Sequence, residues 1–229
     1  PPGRVVHILR DWRTLSRQNA ELLMAHLSTD RLRSYLVSTD GDAALAFSLY
    51  EWNSDISSAM FQVLGDVEIV MRNAVDREMQ KLNVTLGNHG DWFNELNVGI
   101  PRIWREHIAR AGDYLVSEGK ALTHPNIMSQ LNFGFWRTFL TRQYKDTLWR
   151  TALRFAFPHS PSRQPENIFT RVRHLHVLRN RIAHHEPIHR RDIARDFQIC
   201  MEVLQAISPA IAQWSAENSR VLQVLTERP

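Results

Sequence analysis

Apolar residues recur along this chain with the three- and four-residue spacing of amphipathic helices. The clearest run lies on one face of a segment over about residues 55–82 and consists of Ile56, Met60, Val63, Leu64, Val67, Val70, Met71 and Ala74. This spacing predicts a long helix. No segment alternates apolar and polar residues as a strand does, and the 9 Gly and 10 Pro fall mostly between helical segments. The pattern therefore predicts an all-α protein, a bundle of several helices with a long central one.

Shorter helical segments, some of them beside a capping residue or a proline, are predicted in addition to this helix. In chain order they are a short helix at Leu22, Leu23 and Leu27, a second one capped at 28–30, Ala43 to Trp52 capped by Asp42, 101–118, 126–142 and 146–155. Residues 83–100 are rich in Asn and Gly, which is typical of a loop. The Pro- and Ser-rich stretch 157–165 is predicted to be an internal loop, because apolar spacing is similar on both sides. We expect one helical domain over 1–229, with 1–28 as an N-terminal extension.

Composition adds a cellular setting to this picture. The chain is 43% apolar and 23% charged, as in ordinary globular proteins. No apolar run approaches the roughly 18 residues of a membrane span, and no signal pattern opens the chain, so we expect a cytoplasmic protein without a membrane partner. The single cysteine, Cys200, excludes an internal disulfide and a thiolate zinc cluster, and it is expected to pack in the core.

Positive charge is concentrated in one segment. Residues 171–195 contain seven Arg, two carboxylates and five of the 11 His, a local balance of +5 in a chain whose net charge is +4. An apolar stripe from Ile168 to Ile182 predicts that this segment begins as an amphipathic helix near Glu166. The mild total charge favours a compact phosphate-contacting site over extensive coating of nucleic acid.

Within this segment, Arg179-Asn180-Arg181-Ile182-Ala183-His184 matches the R-x4-H signature of the HEPN superfamily, with a polar residue directly after the Arg. The longer string Leu178-Arg-Asn-Arg-Ile-Ala-His-His-Glu-Pro-Ile188 resembles the Abi-like (abortive infection) proteins of bacteria. Three upstream strings extend the resemblance to about residues 30–220: Leu49-Tyr-Glu-Trp-Asn53, Val67-Glu-Ile-Val-Met-Arg-Asn73 and Leu131-Asn-Phe-Gly-Phe-Trp136. The Tyr-rich segment YYRLSGY of some Abi-like members is missing.

The resemblance implies an α-helical HEPN domain that cleaves RNA without a metal or other cofactor. Such a protein acts in phage defence, or as a toxin held in check by an antitoxin, which is a protein or a small RNA. The resemblance makes His184 the general acid/base and Arg179 the ligand of the scissile phosphate, with Asn180 orienting one or both. Supporting or RNA-binding roles fall to Glu68, Arg72, Asn73, Arg173, Arg181, His185 and Glu186.

These residue types suit the chemistry. RNA carries its own nucleophile, the 2′-OH, so the protein needs to orient the phosphate, move protons and stabilise developing negative charge. A His with a reference pKa of about 6.5 serves as acid or base near neutral pH. Arg is always charged and binds phosphate through two parallel hydrogen bonds.

The five-residue spacing sets a geometric requirement. On an ideal helix Arg179 and His184 point about 140° apart, whereas Asn180 and His184 share a face. A competent site then needs a distorted helix end or a second subunit. Pro187 favours a distorted end, because it pushes Glu186 out of the α region. The single motif per chain favours a homodimer whose two copies face each other across a two-fold axis, as in the nucleases that this chain resembles.

Other interpretations of single residues stay open. Arg179 and His184 also fit a solvated basic helix end. His185 fits a share in catalysis, RNA binding or packing under the Pro187 turn. Glu186 fits an ion pair with Arg190 or with Arg181.

Further interpretations concern the upstream strings and the whole protein. Glu68 and Arg72 have the spacing of a helix ion pair, and the pair Arg72-Asn73 fits either support of the motif helix or a phosphate contact. Phe133, Phe135 and Trp136 fit base stacking, although core packing is favoured. No H-E-x-x-H pattern is present, and we expect no metal. The alternative function is a non-catalytic RNA- or partner-binding regulatory module of a defence or toxin–antitoxin system.

Overall fold

Every regular element in the computed structural model, which describes residues 26–95 and 99–229, is helical. The α-helices are α1 (Thr29–Ser38), α2 (Ala43–Thr85), α3 (Arg102–Ser117), α4 (His124–Gln130), α5 (Phe133–Thr138), α6 (Pro165–Ala183), α7 (Ile193–Ile207), α8 (Pro209–Asn218) and α9 (Val221–Thr226). The 3-10 turns are Trp92–Asn94, Arg142–Tyr144 and Leu153–Ala156, and Lys145–Trp149 is a π-helical turn. The all-α prediction is confirmed.

Some predictions lie outside the described residues. These are the helix at Leu22 and Leu23, most of the extension over 1–28, and positions 96–98 of the connector. Across the described ranges, the helices are all too short or too polar to cross a membrane.

The chain divides into two compact units. The first contains the described residues up to Phe61 together with Arg181–Ala194 and Arg220–Pro229, and the second contains Gln62–Asn180 and Arg195–Ser219. Helices α2 and α6 each contribute residues to both units. The stretch 157–165 has both of its flanks in the second unit. A single domain over the whole chain stays a prediction.

Helix α2 is longer than the sequence predicted. Asp42 caps it as expected, since Oδ1 accepts from the backbone N–H of Leu45 at 3.0 Å. However, no break separates the two predicted segments, and α2 runs for 43 residues. Asn weakens a helix when its side chain competes for the local backbone. The buried Asn53 does not compete here, because its Oδ1 accepts from the backbone N–H of Ile188 at 2.8 Å.

The predicted apolar face of α2 is confirmed, since seven of its eight residues are buried and only Val70 is partly exposed. Polar side chains of this helix anchor short helices within each unit. In the first unit, Nε1 of Trp52 donates to the carbonyl oxygen of Val224 in α9 at 2.7 Å. In the second unit, Asp66 accepts from the hydroxyl of Ser215 in α8 at 2.6 Å.

Two predicted helices were wrong in extent. The segment 126–142 forms α4 and α5, which are separated because Asn132 caps α5 and accepts from the backbone N–H of Phe135 at 3.0 Å. The segment 146–155 forms the π turn and a 3-10 turn. Here Nε1 of the buried Trp149 donates to the carbonyl oxygen of Arg163 at 2.8 Å, a tertiary contact that local spacing does not encode.

Aromatic residues fill the core of the second unit. Trp104 stacks on Phe139 with ring centroids 3.8 Å apart, and Nε1 of the buried Trp136 donates to the carbonyl oxygen of Leu131. Phe133 and Phe135 are also buried, so the core interpretation holds for these residues and base stacking does not. Cys200 is buried as predicted, and burial raises the pKa of its thiol, which keeps it unreactive.

A histidine bridges two carboxylates within the second unit. At the start of α4, Nδ1 of His124 lies 2.7 Å from Oδ1 of Asp91, and Nε2 lies 2.9 Å from Oδ1 of Asp76. Burial by itself lowers the pKa of His124, but the hydrogen bonds and charges of the two Asp outweigh it and raise the pKa above its ordinary value. The imidazolium form, which donates from both nitrogens, therefore suits this position.

The raised pKa of His124 predicts a pH-dependent contribution to stability. Because the pKa is higher in the folded state, the contribution is fully present below the unfolded pKa of about 6.5 and is lost as the pH rises through the folded value. We expect His124→Gln to lower the free energy of unfolding by about 1–2 kcal/mol at pH 5.5 and by less at pH 9. Urea unfolding at the two pH values measures this. The exposed His89 of the same unit supplies the control His89→Gln, and an equal loss at both pH values for His124→Gln would contradict the prediction.

Candidate functional site

Helix α6 carries the first part of the R-x4-H string. It begins at Pro165, which suits a first helical turn, and Glu166 supplies a negative charge near the positive end of the helix dipole. The predicted apolar stripe is buried at all five of its positions, Ile168, Val172, Leu175, Leu178 and Ile182. Arg179 and Asn180 belong to the second unit, and the residues from Arg181 to Ala194 belong to the first.

In the first unit, the end of α6 is a Schellman turn. The backbone N–H of His185 donates to the carbonyl oxygen of Ile182 at 2.9 Å, and that of Glu186 donates to the carbonyl oxygen of Arg181 at 2.7 Å. His185 has φ 56°, a left-handed conformation that Gly usually supplies at this position. Since α6 ends at Ala183, His184 stands in the turn, and the ideal-helix angle of about 140° does not apply to it.

The turn presents three polar side chains to solvent. His184, His185 and Glu186 are all exposed, so His185 does not pack under the Pro187 turn. His184 has no hydrogen-bond partner in the part of the chain that the structure describes. Its imidazole is therefore accessible to a ligand.

Two contacts fix this turn within the first unit. Nε of Arg181 lies 3.4 Å from Oε2 of Glu186, which is one of the two ion pairs expected for Glu186. The hydrogen bond from Ile188 to the buried Asn53 holds the chain just after Pro187. The strings 49–53 and 178–188, both part of the resemblance, therefore meet at this hydrogen bond.

His189 packs in the interior of the first unit. It is buried, its ring stacks on Tyr35 at 4.5 Å, and its Nε2 lies 3.2 Å from Oγ of Ser38. Burial lowers the pKa of His189, with Arg190 adding to the effect, and burial raises the pKa of Tyr35 to about 12.

In the second unit, Arg179 is held from α2. Its Nε lies 3.8 Å from Oε2 of Glu68, and its Nη1 donates to Oδ1 of Asn180 at 3.5 Å. The expected ion pair between Glu68 and Arg72 was wrong within the described residues, since Arg72 donates to Oδ1 of Asn73 instead. Glu68 therefore contacts the motif helix, which fits the supporting role expected for it, although Arg179 was not predicted as its partner.

His176 also lies in this region, although the sequence motifs assigned it no role. Its ring stacks on Phe133, with centroids 5.6 Å apart and 14° between the planes. Asn180 donates from Nδ2 to Nε2 of His176 at 3.4 Å, because Oδ1 of Asn180 already accepts from Arg179. Burial lowers the pKa of His176, and the charges of Arg137 and Arg179 lower it further, so the neutral ring that accepts this bond is favoured.

Gly134 lets His176 come this close. A Cβ at position 134 would lie 3.2 Å from Nε2 of His176 and 3.1 Å from Oδ1 of Asn132. The strings 131–136 and 178–188 are thus connected through the helix that carries His176 and Arg179. A glycine inside a predicted helix was the one signal in the sequence for this contact.

Two other arginines of the basic segment differ in their surroundings. Arg173 is exposed, whereas Arg171 donates to Glu202, which also accepts from Arg195. Burial by itself raises the pKa of Glu202, but the hydrogen bonds and charges of Arg171 and Arg195 outweigh it and lower that pKa. Nε2 of His174 lies 2.5 Å from Oδ1 of the buried Asp196. The contacts of Arg171 and His174 hold α6 against α7.

Among the described residues, no group of three or more His, Cys, Asp or Glu side chains could hold a metal ion. Comparisons with protein-family models, curated proteins and solved structures found no match to this chain.

The contact between Gly134 and His176 predicts that a methyl group added at position 134 lowers the stability of the protein. We expect Gly134→Ala to lower the free energy of unfolding by about 1–3 kcal/mol, because the His176 ring, which is stacked on Phe133, and the capping side chain of Asn132 must both shift to make room for the methyl group. Gly65 in α2 is the matched control, since a Cβ there meets nothing within 4 Å. Gly65→Ala is expected to raise stability by up to about 1 kcal/mol. Thermal or urea unfolding measures both, and a stabilising Gly134→Ala would refute the close approach.

Proposed function

We propose that this chain is a metal-independent endoribonuclease of the HEPN type, acting in phage defence or as a toxin controlled by an antitoxin. The observation that carries the proposal is the R-x4-H string 179–184 inside the longer string 178–188, in a segment whose local charge is +5. This combination supplies a phosphate ligand and a group for proton transfer within six residues.

Contacts within each unit support the proposal. The three upstream strings that carry the resemblance take part in holding the motif segment: Asn53 accepts from Ile188 in the first unit, while Glu68 pairs with Arg179 in the second. The string 131–136 contributes Gly134, and His176, which is on the same helix as Arg179, lies against it. Catalytic groups act efficiently when neighbouring side chains hold them in place. Asn53 holds the chain after the turn, and Glu68 holds Arg179.

Each residue has a distinct role in the proposed reaction. His184 takes the proton of the 2′-OH or donates one to the leaving 5′ oxygen, and its exposure allows a substrate to reach it. Arg179 binds the scissile phosphate and stabilises the extra negative charge of the transition state. Asn180 orients Arg179, to whose Nη1 its Oδ1 is hydrogen-bonded.

Cleavage of RNA in EDTA tests the proposal. The wild-type chain is expected to cut single-stranded RNA and to leave 2′,3′-cyclic phosphate ends, the product of 2′-OH attack. We expect His184→Ala to lower the cleavage rate by about 10²- to 10⁴-fold, the range for loss of a general acid or base. Arg179→Ala is expected to lower it by about 10²-fold or more.

The exposed His159 supplies a matched control, and His159→Ala should leave the rate unchanged. Undiminished cleavage by His184→Ala would overturn the assignment of His184. RNA binding without cleavage by the wild type would instead favour the non-catalytic binding module.

The homodimer expected from the single motif is tested separately. Sedimentation of the active protein should give twice the chain mass, and cleavage activity should follow the dimer fraction on dilution. A monomer with full nuclease activity would refute the dimer and leave the ribonuclease assignment in place.

A further inference from the structure

Two arginines from different helices of the second unit share helix faces with His176 or with its contacts, and the charges of both act on its ring. Arg137 lies three and four residues after Gly134 and Phe133 in α5, the two residues that contact this ring. Residues with that spacing share a helix face, so Arg137 is on the face of α5 that meets His176. Arg179 follows His176 by three residues on α6 and shares its face in the same way.

Little negative charge balances these guanidinium groups. Within the described residues, Glu68 is the one carboxylate that forms an ion pair with either, and its oxygen lies 3.8 Å from Nε of Arg179, beyond hydrogen-bond range. The Nε atoms of Arg137 and Arg179 are both buried, and neither makes a hydrogen bond to a described residue. A buried N–H without an acceptor costs free energy that a bound anion would recover.

The imidazole of His176 does not supply that anion. Asn180 donates to Nε2 of His176, so the ring serves as an acceptor and stays neutral. Burial and the two arginines lower its pKa, which agrees with this geometry. The cluster therefore has excess positive charge and unused donors, and an oxyanion is the ligand that completes it.

We propose that Arg137 and Arg179 together hold one phosphate group of the RNA beside His176, so that Arg137 is a second phosphate-binding residue. The choice of RNA as the source of the phosphate rests on the proposed ribonuclease function. A tetrahedral phosphate offers oxygens to two guanidinium forks at once, whereas one fork takes both oxygens of a carboxylate. Arg137 lies directly after the string 131–136, so it was absent from the residues assigned by sequence.

Binding of inorganic phosphate to the full chain tests the site without relying on RNA. The readout is the NMR resonance of the His176 ring, assigned by its loss in His176→Gln. Phosphate is expected to shift this resonance and raise the pKa of His176, because an anion beside the ring favours the imidazolium. Acetate at the same ionic strength is expected to do so at a much higher concentration.

The variants identify the ligands of the phosphate. We expect Arg137→Ala and Arg179→Ala each to weaken phosphate binding about tenfold or more. The exposed Arg150 of the same unit is the matched control, and Arg150→Ala should bind phosphate as the wild type does. Arg137→Lys keeps the charge but loses the fork, so intermediate binding is expected, and this variant decides the question if Arg137→Ala fails to fold.

Failure of this site and failure of the ribonuclease function give different results. Phosphate that leaves His176 unchanged in the wild type, or that binds equally well to Arg137→Ala or Arg137→Lys, overturns the proposed site. Phosphate binding that depends on Arg137 in a protein that cuts no RNA keeps the anion site and removes the ribonuclease function.

Discussion

The packing of His176 on Phe133 and over Gly134 is the constraint on which the arrangement around Arg179 in the second unit depends. A neutral imidazole stacked on a buried phenyl ring has little freedom to rotate, and the missing Cβ of Gly134 permits its closest approach. Nδ2 of Asn180 is bonded to this ring, and Oδ1 of Asn180 accepts from Arg179, so the packing of the ring extends to both motif residues. Glu68 adds a second restraint from α2.

The electrostatics of this region follow from the same packing. Arg137 and Arg179 are brought to one ring by two helices, and Glu68 compensates only part of their charge. A protein that needed these arginines for stability alone would gain by pairing each with a carboxylate, as Arg171 and Arg195 are paired with Glu202. A guanidinium group with unused donors is suited to binding an oxyanion.

In the first unit, backbone hydrogen bonds, not side-chain packing, set the position of His184 and His185. The Schellman turn ends α6 before His184, so the histidines leave the helix and face solvent beside the ion pair of Arg181 with Glu186. The left-handed backbone at His185 is the conformation that the C′ position of a Schellman turn requires, and His adopts it more readily than most residues other than Gly. Asn53 stabilises the turn from α2 and leaves that helix unbroken.

The sequence by itself determined the helical class, the buried stripes of α2 and α6, the caps at Asp42 and Ser28, and the concentration of Arg and His near the end of α6. These features depend on local spacing and on hydrogen bonds between residues a few positions apart. Both can be predicted from the order of residues along the chain. Only the tertiary structure decided that α2 is continuous, that Glu68 pairs with Arg179 and not with Arg72, and that His176 packs against Phe133 and Gly134. Each of these outcomes depends on a partner far away along the chain, and the spacing of residues within one helix carries no information about which distant side chain will lie against it.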